Sequence, residues 1–196
     1  MHLFETIHDS ATARHAQRVS WLATELGHHL SLPPADVELL GQAALFHDIG
    51  KACLPPYLND LRGPLSDADW ALIKTHPVIG EGLCAEDHDL WSARPIIRSH
   101  HERLDGSGYP DGLHGPAIPL LSQVLQLADI VDAMVSPRAY RAPSSLDDAL
   151  ATLSHEAERG WRDPRLVRES LPFLCNQNRW FTARLNDLTL PIGGDV

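Results

Sequence analysis

Apolar positions recur at helical spacing through most of the chain. Over residues 11–30, His15, Val19, Leu22 and Leu26 fall on one stripe, the spacing of an amphipathic helix, so His15 is expected to point inward with the apolar face. Pro33-Pro34 interrupts the pattern and Asp36 is a polar start for a second helix. On that helix Leu40, Ala44, His47 and Asp48 share a side, and Gly50 reads as its terminator. Residues 52–65 read as a loop. Ser66, three residues before Asp69, marks a helix start, and His76-Pro77 opens another helix with proline just inside it. Residues 91–101 place His100 and His101 at a helix end. Residues 102–118 hold four glycines and two prolines, too many for regular structure. Residues 119–135 are strongly helical and apolar, with Leu125, Asp129 and Asp132 on one face. Further helices are expected from Ser144 to Glu158 and from Pro164 to Leu174, while alternation over Trp180–Leu190 fits a short strand or a packed tail. Strand signals are nearly absent and no repeat is found, so the expected fold is all-α, a bundle of about seven to eight helices with one irregular loop.

Length changes this picture little: 196 residues fit one domain. The expected division is 1–175 for the catalytic unit and 176–196 for an extension without an assigned role. Charge narrows the partners. Sixteen Lys and Arg against 26 Asp and Glu give −10, which argues against a face that binds a nucleic acid polymer. A small phosphate-bearing ligand stays open, because a metal ion and a few arginines make one cleft locally positive. No run of about 18 apolar residues predicts a membrane span. Residues 1–8 lack the basic and apolar regions of a signal peptide. Cys53, Cys84 and Cys175 are odd in number and widely spaced, which suits free thiols in a reducing cytoplasm.

The candidate chemistry lies in the polar residues that the helical pattern turns inward or leaves at helix ends: His15, His47, Asp48, His76, His100, His101 and Asp129. They are taken as five neutral imidazoles and two carboxylates. Seven groups exceed what one ion needs, and two six-coordinate ions bridged by a carboxylate fit better. Asp48 has two oxygens for that bridge and follows a candidate ligand directly. Mixed His/carboxylate sites with open positions suit Fe, Mn, Ni or Zn. An ion pair about 4 Å apart clamps a phosphate and generates hydroxide between the ions, which points to phosphoester hydrolysis. Taken singly, His15 or His76 reads as a satisfied core histidine. Asp129, between Ala128 and Ile130, differs because a buried carboxylate demands a partner. His2, His8, His28, His29, His88, His114 and His155 lie in polar or loop settings and read as ordinary histidines.

The segment His47-Asp48-Ile49-Gly50-Lys51 resembles the signature of the HD-domain metal-dependent phosphohydrolases. His100 to Pro110, read as HHE-x-x-DG-x-GYP, resembles that of their HD-GYP subfamily. The likeness spans roughly residues 10 to 170, including Asp129-Ile130-Val131-Asp132-Ala133-Met134 and Pro137-Arg138-Ala139-Tyr140-Arg141. It implies an HD-domain helical bundle and a phosphodiesterase that linearises cyclic di-GMP to pGpG, often onward to GMP. By position the family's metal ligands fall on the same seven residues, with Asp48 bridging two divalent ions, Fe or Mn first, with Ni, Zn and Mg open. The family's lysine falls on Lys51, placed at the scissile phosphate or the leaving oxygen, so Asp48 and Lys51 are the catalytic candidates. Arg138, Arg141 and Tyr109 are the substrate-binding candidates. The GYP loop also suits contacts with a diguanylate cyclase (GGDEF-type) domain or a separate sensor or receiver protein. Three departures stand out. Ala11 occupies the place where some members carry a third-metal glutamate, which implies a binuclear site. Leu61-Arg62-Gly63 stands where a lysine precedes Pro-Gly, which bears on ligand affinity. Leu104 replaces a common aromatic. The alternatives are a non-hydrolysing cyclic di-GMP sensor or adaptor of the same fold, or a hydrolase of another cyclic or linear nucleotide such as cyclic GMP-AMP.

Overall fold

A computed structural model describes residues 11–58, 63–137 and 142–177. They form eight α-helices: α1 (Ala11–His29), α2 (Pro34–Phe46), α3 (Asp67–Ile73), α4 (His76–Ala85), α5 (Arg94–Ser99), α6 (Leu120–Val135), α7 (Leu146–Glu158) and α8 (Pro164–Cys175). Among the described residues there is no strand, only a single antiparallel bridge between Asp105 and His114. The all-α expectation holds. The alternation over Trp180–Leu190 lies outside the described residues.

The stripe on α1 buries as its spacing demands. Val19, Leu22 and Leu26 join Leu40, Ala43 and Ala44 of α2 and Val124, Leu127, Ala128 and Val131 of α6 in one continuous core. Each fully buried leucine there contributes about 2 kcal/mol. α3 starts at the expected capping box: Ser66 Oγ accepts from Asp69 N, and Asp69 accepts from Ser66 N. α7 opens with the same device on Ser145 and Asp148. α8 is capped by Asp163, which accepts from Arg165 N and Leu166 N, with Pro164 in its first turn.

The expected ending of α2 at Gly50 is corrected. The helix stops at Phe46 and the chain continues as a 3-10 turn, Ile49–Cys53, with Gly50 inside it. The reason is tertiary. A Cβ on Gly50 would overlap the His76 carbonyl oxygen and lie 2.7 Å from Gly80 N, so the missing side chain lets this turn rest on the backbone of α4. Likewise, the expected loop 52–65 contains a further 3-10 turn, Pro56–Leu58, with Leu58 buried.

The glycine-rich stretch after His101 is irregular but tightly held. Glu102 is 0% exposed, and its carboxylate accepts from the backbone N–H of Asp111, Gly112 and Leu113 at 2.7, 3.0 and 3.0 Å. Its carbonyl accepts from Gln126 Nε2 (2.9 Å) and Arg162 Nη1 (3.2 Å). Gly108 lies where a Cβ would overlap Arg103 N and Glu102 Cα. One carboxylate therefore closes the loop over the end of α5. Glu102→Ala would leave three N–H groups without acceptors, each costing about 1–3 kcal/mol when unsatisfied. The expected result is a melting temperature lower by about 10 °C, read by calorimetry, with Glu102→Gln recovering part of it. An unchanged melting temperature would show that the loop closes without this anchor.

Candidate metal centre

The fold carries the candidate ligands to one place from five separate segments. His15 comes from α1, His47 and Asp48 from the end of α2, His76 from the first turn of α4, His100 and His101 from the end of α5, and Asp129 from α6. The local reason is repeated three times. Each buried ring is tied through Nδ1 to the carbonyl three residues earlier: His47 to Ala44 (2.7 Å), His76 to Ile73 (2.7 Å) and His100 to Ile97 (2.6 Å). A carbonyl only accepts, so Nδ1 carries the proton and Nε2 presents a lone pair.

Those lone pairs converge. His76 Nε2 stands 3.2 Å from Asp48 Oδ1 and 3.3 Å from His100 Nε2. His47 Nε2 lies 3.4 Å from Asp48 Oδ2 and 3.8 Å from Asp129 Oδ1, and His15 Nε2 lies 3.1 Å from the same Asp129 oxygen. The ring of His101 packs 4.0 Å from that of His100 and 5.1 Å from that of His76, between centroids. Two groups of donor atoms, each within 4.8 Å of one another, result: Asp48, His76, His100 and His101, and His15, His47 and Asp48. Asp48 belongs to both.

The donor set fits divalent cations on direct grounds. His47 Nε2 and Asp48 Oδ1 are buried and have no hydrogen-bond partner, and buried polar atoms rarely go unpartnered. Two imidazole lone pairs facing each other at 3.3 Å also call for a positive charge between them. All seven expected ligands are thus brought together.

The electrostatics sort the cluster. Burial opposes the charged form of Asp48, but the Lys51 ammonium above all, then His47 and His76, outweigh it and hold the carboxyl well below its usual pKa. Burial likewise opposes Asp129, and its bond to His15 keeps it ionised. Burial pushes His101 down to about 3 and His100 well below the usual imidazole range, with neighbouring imidazoles adding to the effect, so both stay neutral ligands. His15 departs from the expected neutral form. Burial lowers its pKa, yet bonds to Asp129 and Asp132 outweigh that and raise it to about 9. Coordination at its Nε2 must therefore release a proton.

Asp132, which the sequence places on the same face as Asp129, joins the cluster from behind His15. It accepts from His15 Nδ1 at 2.7 Å and from Arg18 Nε at 2.6 Å and Nη2 at 3.0 Å, fully buried. A signal for it was present: the reasoning that a carboxylate in an apolar helix needs a partner covers Asp132 as well as Asp129. Such outer partners orient a ligand imidazole. Asp132→Asn is expected to weaken divalent-ion binding roughly 10–100-fold, measured by metal titration, and equal affinity would deny Asp132 this role.

Lys51 Nζ sits 2.6 Å from Asp48 Oδ2 with its side chain partly exposed, at the rim of the cluster. Tyr109 lies over His101, ring centroids 4.7 Å apart at 28°, and burial together with Asp48 and Asp129 raises its pKa, so the phenol keeps its proton. Arg138 and Arg141 lie outside the described residues, as do Leu61 and Arg62. Among the described residues no helix is long and apolar enough to cross a membrane.

A family profile described as HD domain matches residues 6–166. The cyclic di-GMP phosphodiesterase response regulator RpfG of Xanthomonas campestris pv. campestris is 35% identical over 184 residues, 90% of this chain and 48% of that protein. The 3'3'-cGAMP-specific phosphodiesterase 3 of Vibrio cholerae is 35% identical over 142 residues, 72% of this chain and 31% of that protein. Each of these relatives is therefore more than twice as long as the region matched. Among solved structures, an HDG"Y"P protein from Bdellovibrio bacteriovorus superposes with a TM-score of 0.67 at 24% identity, covering 88% of this chain and 56% of that one. At that identity the likeness concerns the fold.

Proposed function

The chain belongs to the HD-domain family, and from that premise we propose that it is a metal-dependent phosphodiesterase that hydrolyses cyclic di-GMP to pGpG, with GMP as a further product. The observation that carries this reading is Asp48, one buried carboxylate shared by two groups of convergent donors. In this reading His15, His47, Asp48 and Asp129 hold one divalent cation, and Asp48, His76, His100 and His101 hold a second. Such a pair, Fe or Mn first as the family resemblance implies, would supply Lewis acidity to a phosphoryl oxygen and acidify water beside it.

The chain's own groups have separate tasks. Asp48 stays ionised beside Lys51, so its carboxylate would be available as a donor to both cations. Lys51 brings a positive charge to the rim, where the 3′ oxygen leaves as the P–O bond breaks and water supplies the new oxygen on phosphorus. His15 keeps its orientation through Asp132. Tyr109, stacked on His101, walls the cluster and faces a bound nucleotide, and Arg138 and Arg141 meet its phosphates. Residues 1–175 act as the catalytic unit, in the cytoplasm, and the loop 102–118 is the place for a cyclase or receiver partner.

The test is direct. The purified chain, loaded with Fe(II) or Mn(II) under reducing, anaerobic conditions, is mixed with cyclic di-GMP and the products are separated by chromatography. Appearance of pGpG is expected, and intact substrate under every metal would reject the reading. Because the Vibrio cholerae relative is named for 3'3'-cGAMP, the same assay with that nucleotide decides between the two cyclic dinucleotides.

A further inference from the structure

A cavity of about 730 Å³ opens beside the cluster, and the wall it shares with it is His101 and Tyr109. α3 and the residue after it also line it: Asp67, Trp70, Ala71 and Lys74 stand at the i, i+3, i+4, i+7 spacing of one helical face. α3 buries none of its residues, so core packing does not explain this face. Trp70 is left 45% exposed.

Two cations stand ready in this cavity of a chain with net charge −10. Lys74 Nζ lies 5.7 Å from the Tyr109 ring centre. The Arg103 guanidinium is stacked at 3.6 Å on the Trp161 ring, whose ring Arg159 also stacks at 3.8 Å. Stacking holds the Arg103 plane while leaving its N–H edges available. A third lining cation, Arg162, is already engaged by Glu156 and Gln126. The space is of the size that takes a small organic ligand, and its polar and aromatic groups suit an anion that carries a flat ring.

We propose that this cavity is the subsite for the half of a dinucleotide remote from the reacting phosphate, with its base stacked on Trp70 and its uncut phosphate held by Lys74 and Arg103. This rests on the phosphodiesterase reading above. A ligand that fills the cavity while touching His101 and Tyr109 has its other phosphate at the donor cluster, so these residues select dinucleotides over simple diesters.

The experiment compares cyclic di-GMP with bis(p-nitrophenyl) phosphate, a diester without base or second phosphate, on the metal-loaded chain. Lys74→Ala and Trp70→Ala are each expected to raise KM for cyclic di-GMP about tenfold, the size of one lost base stack or charged contact. For the small diester kcat/KM should fall less than about threefold on the same scale. Lys74→Arg and Trp70→Phe should restore most of the loss. An equal fall for both substrates, or an unchanged KM, would overturn the subsite. If the wild-type chain cleaves the small diester but no cyclic dinucleotide, the phosphodiesterase reading for that substrate fails, and titration with GMP then decides the subsite separately. Weaker GMP binding by Lys74→Ala keeps it, and equal binding rejects it.

Discussion

Asp48→Ala is expected to abolish turnover and to lower the metal held to one ion per chain or fewer. Asp48 is the one residue shared by both donor groups, it is 5% exposed, and Lys51 pins one of its oxygens at 2.6 Å. Removing it takes a donor from each cation and leaves His76 and His47 without the carboxylate they face. Metal ions contribute several kcal/mol of transition-state stabilisation in such sites. Each 1.4 kcal/mol is a factor of ten, so the rate should fall at least about 10³-fold. The fold should survive, because Lys51, the charge left without its partner, has a partly exposed side chain that can turn to water. Elemental analysis, circular dichroism and the product assay on the same sample test this. Full metal content with full turnover would break the assignment of Asp48, and lost helicity would show that Asp48 serves the fold instead.

Gly50→Ala should be severely damaging for a substitution of a single hydrogen by a methyl group. The new Cβ would overlap the His76 carbonyl oxygen and press on Gly80 N at 2.7 Å, and both are backbone atoms that cannot rotate aside. Forcing extra volume into a packed contact costs about 1–3 kcal/mol or more. Here the displaced helix, α4, carries His76 in its first turn. A shift of about 1 Å at a reacting site is enough to cost about 10²-fold in rate. The expected result is a lower melting temperature together with lost turnover and weakened metal binding. Gly82→Ala, in the same helix with nothing within 4 Å of the added Cβ, is the internal control and should be neutral or slightly stabilising. Equal behaviour of the two variants would show that the contact between the turn 49–53 and α4 relaxes freely.

Gly50 also shows where sequence reasoning falls short. A glycine after a helix reads as a terminator because the common reason for one is local, a left-handed cap. Here the reason lies 26 residues away in the backbone of His76, and no local pattern records it. Asp132 and Glu102 teach the same lesson. Each is a carboxylate whose partners are distant: His15 and Arg18 on α1 for Asp132, and three backbone N–H groups of the following loop for Glu102. The need for a partner is visible in the apolar surroundings of Asp132, but its identity is not. The raised pKa of His15 has a related cause, since the two carboxylates responsible meet it only in the folded bundle. The cavity beside α3 is legible in part: Trp70 and Lys74 share a helical face, but nothing local says that Arg103 and Tyr109 line the same space.

Sequence patterning alone accounts for the all-α bundle, the chain segments that carry each candidate ligand, and the two motifs around His47-Asp48 and His100-His101. Helical periodicity and capping are properties of neighbours in the chain, so they can be read from it directly. The packing of the helices was needed to show which lone pairs converge, that Asp48 stands in both donor groups, which charges hold His15 and Lys51, and that a cavity with Lys74 and Arg103 adjoins the cluster. Those facts depend on distances between residues far apart in sequence, and packing of the helices, not local propensity, sets them.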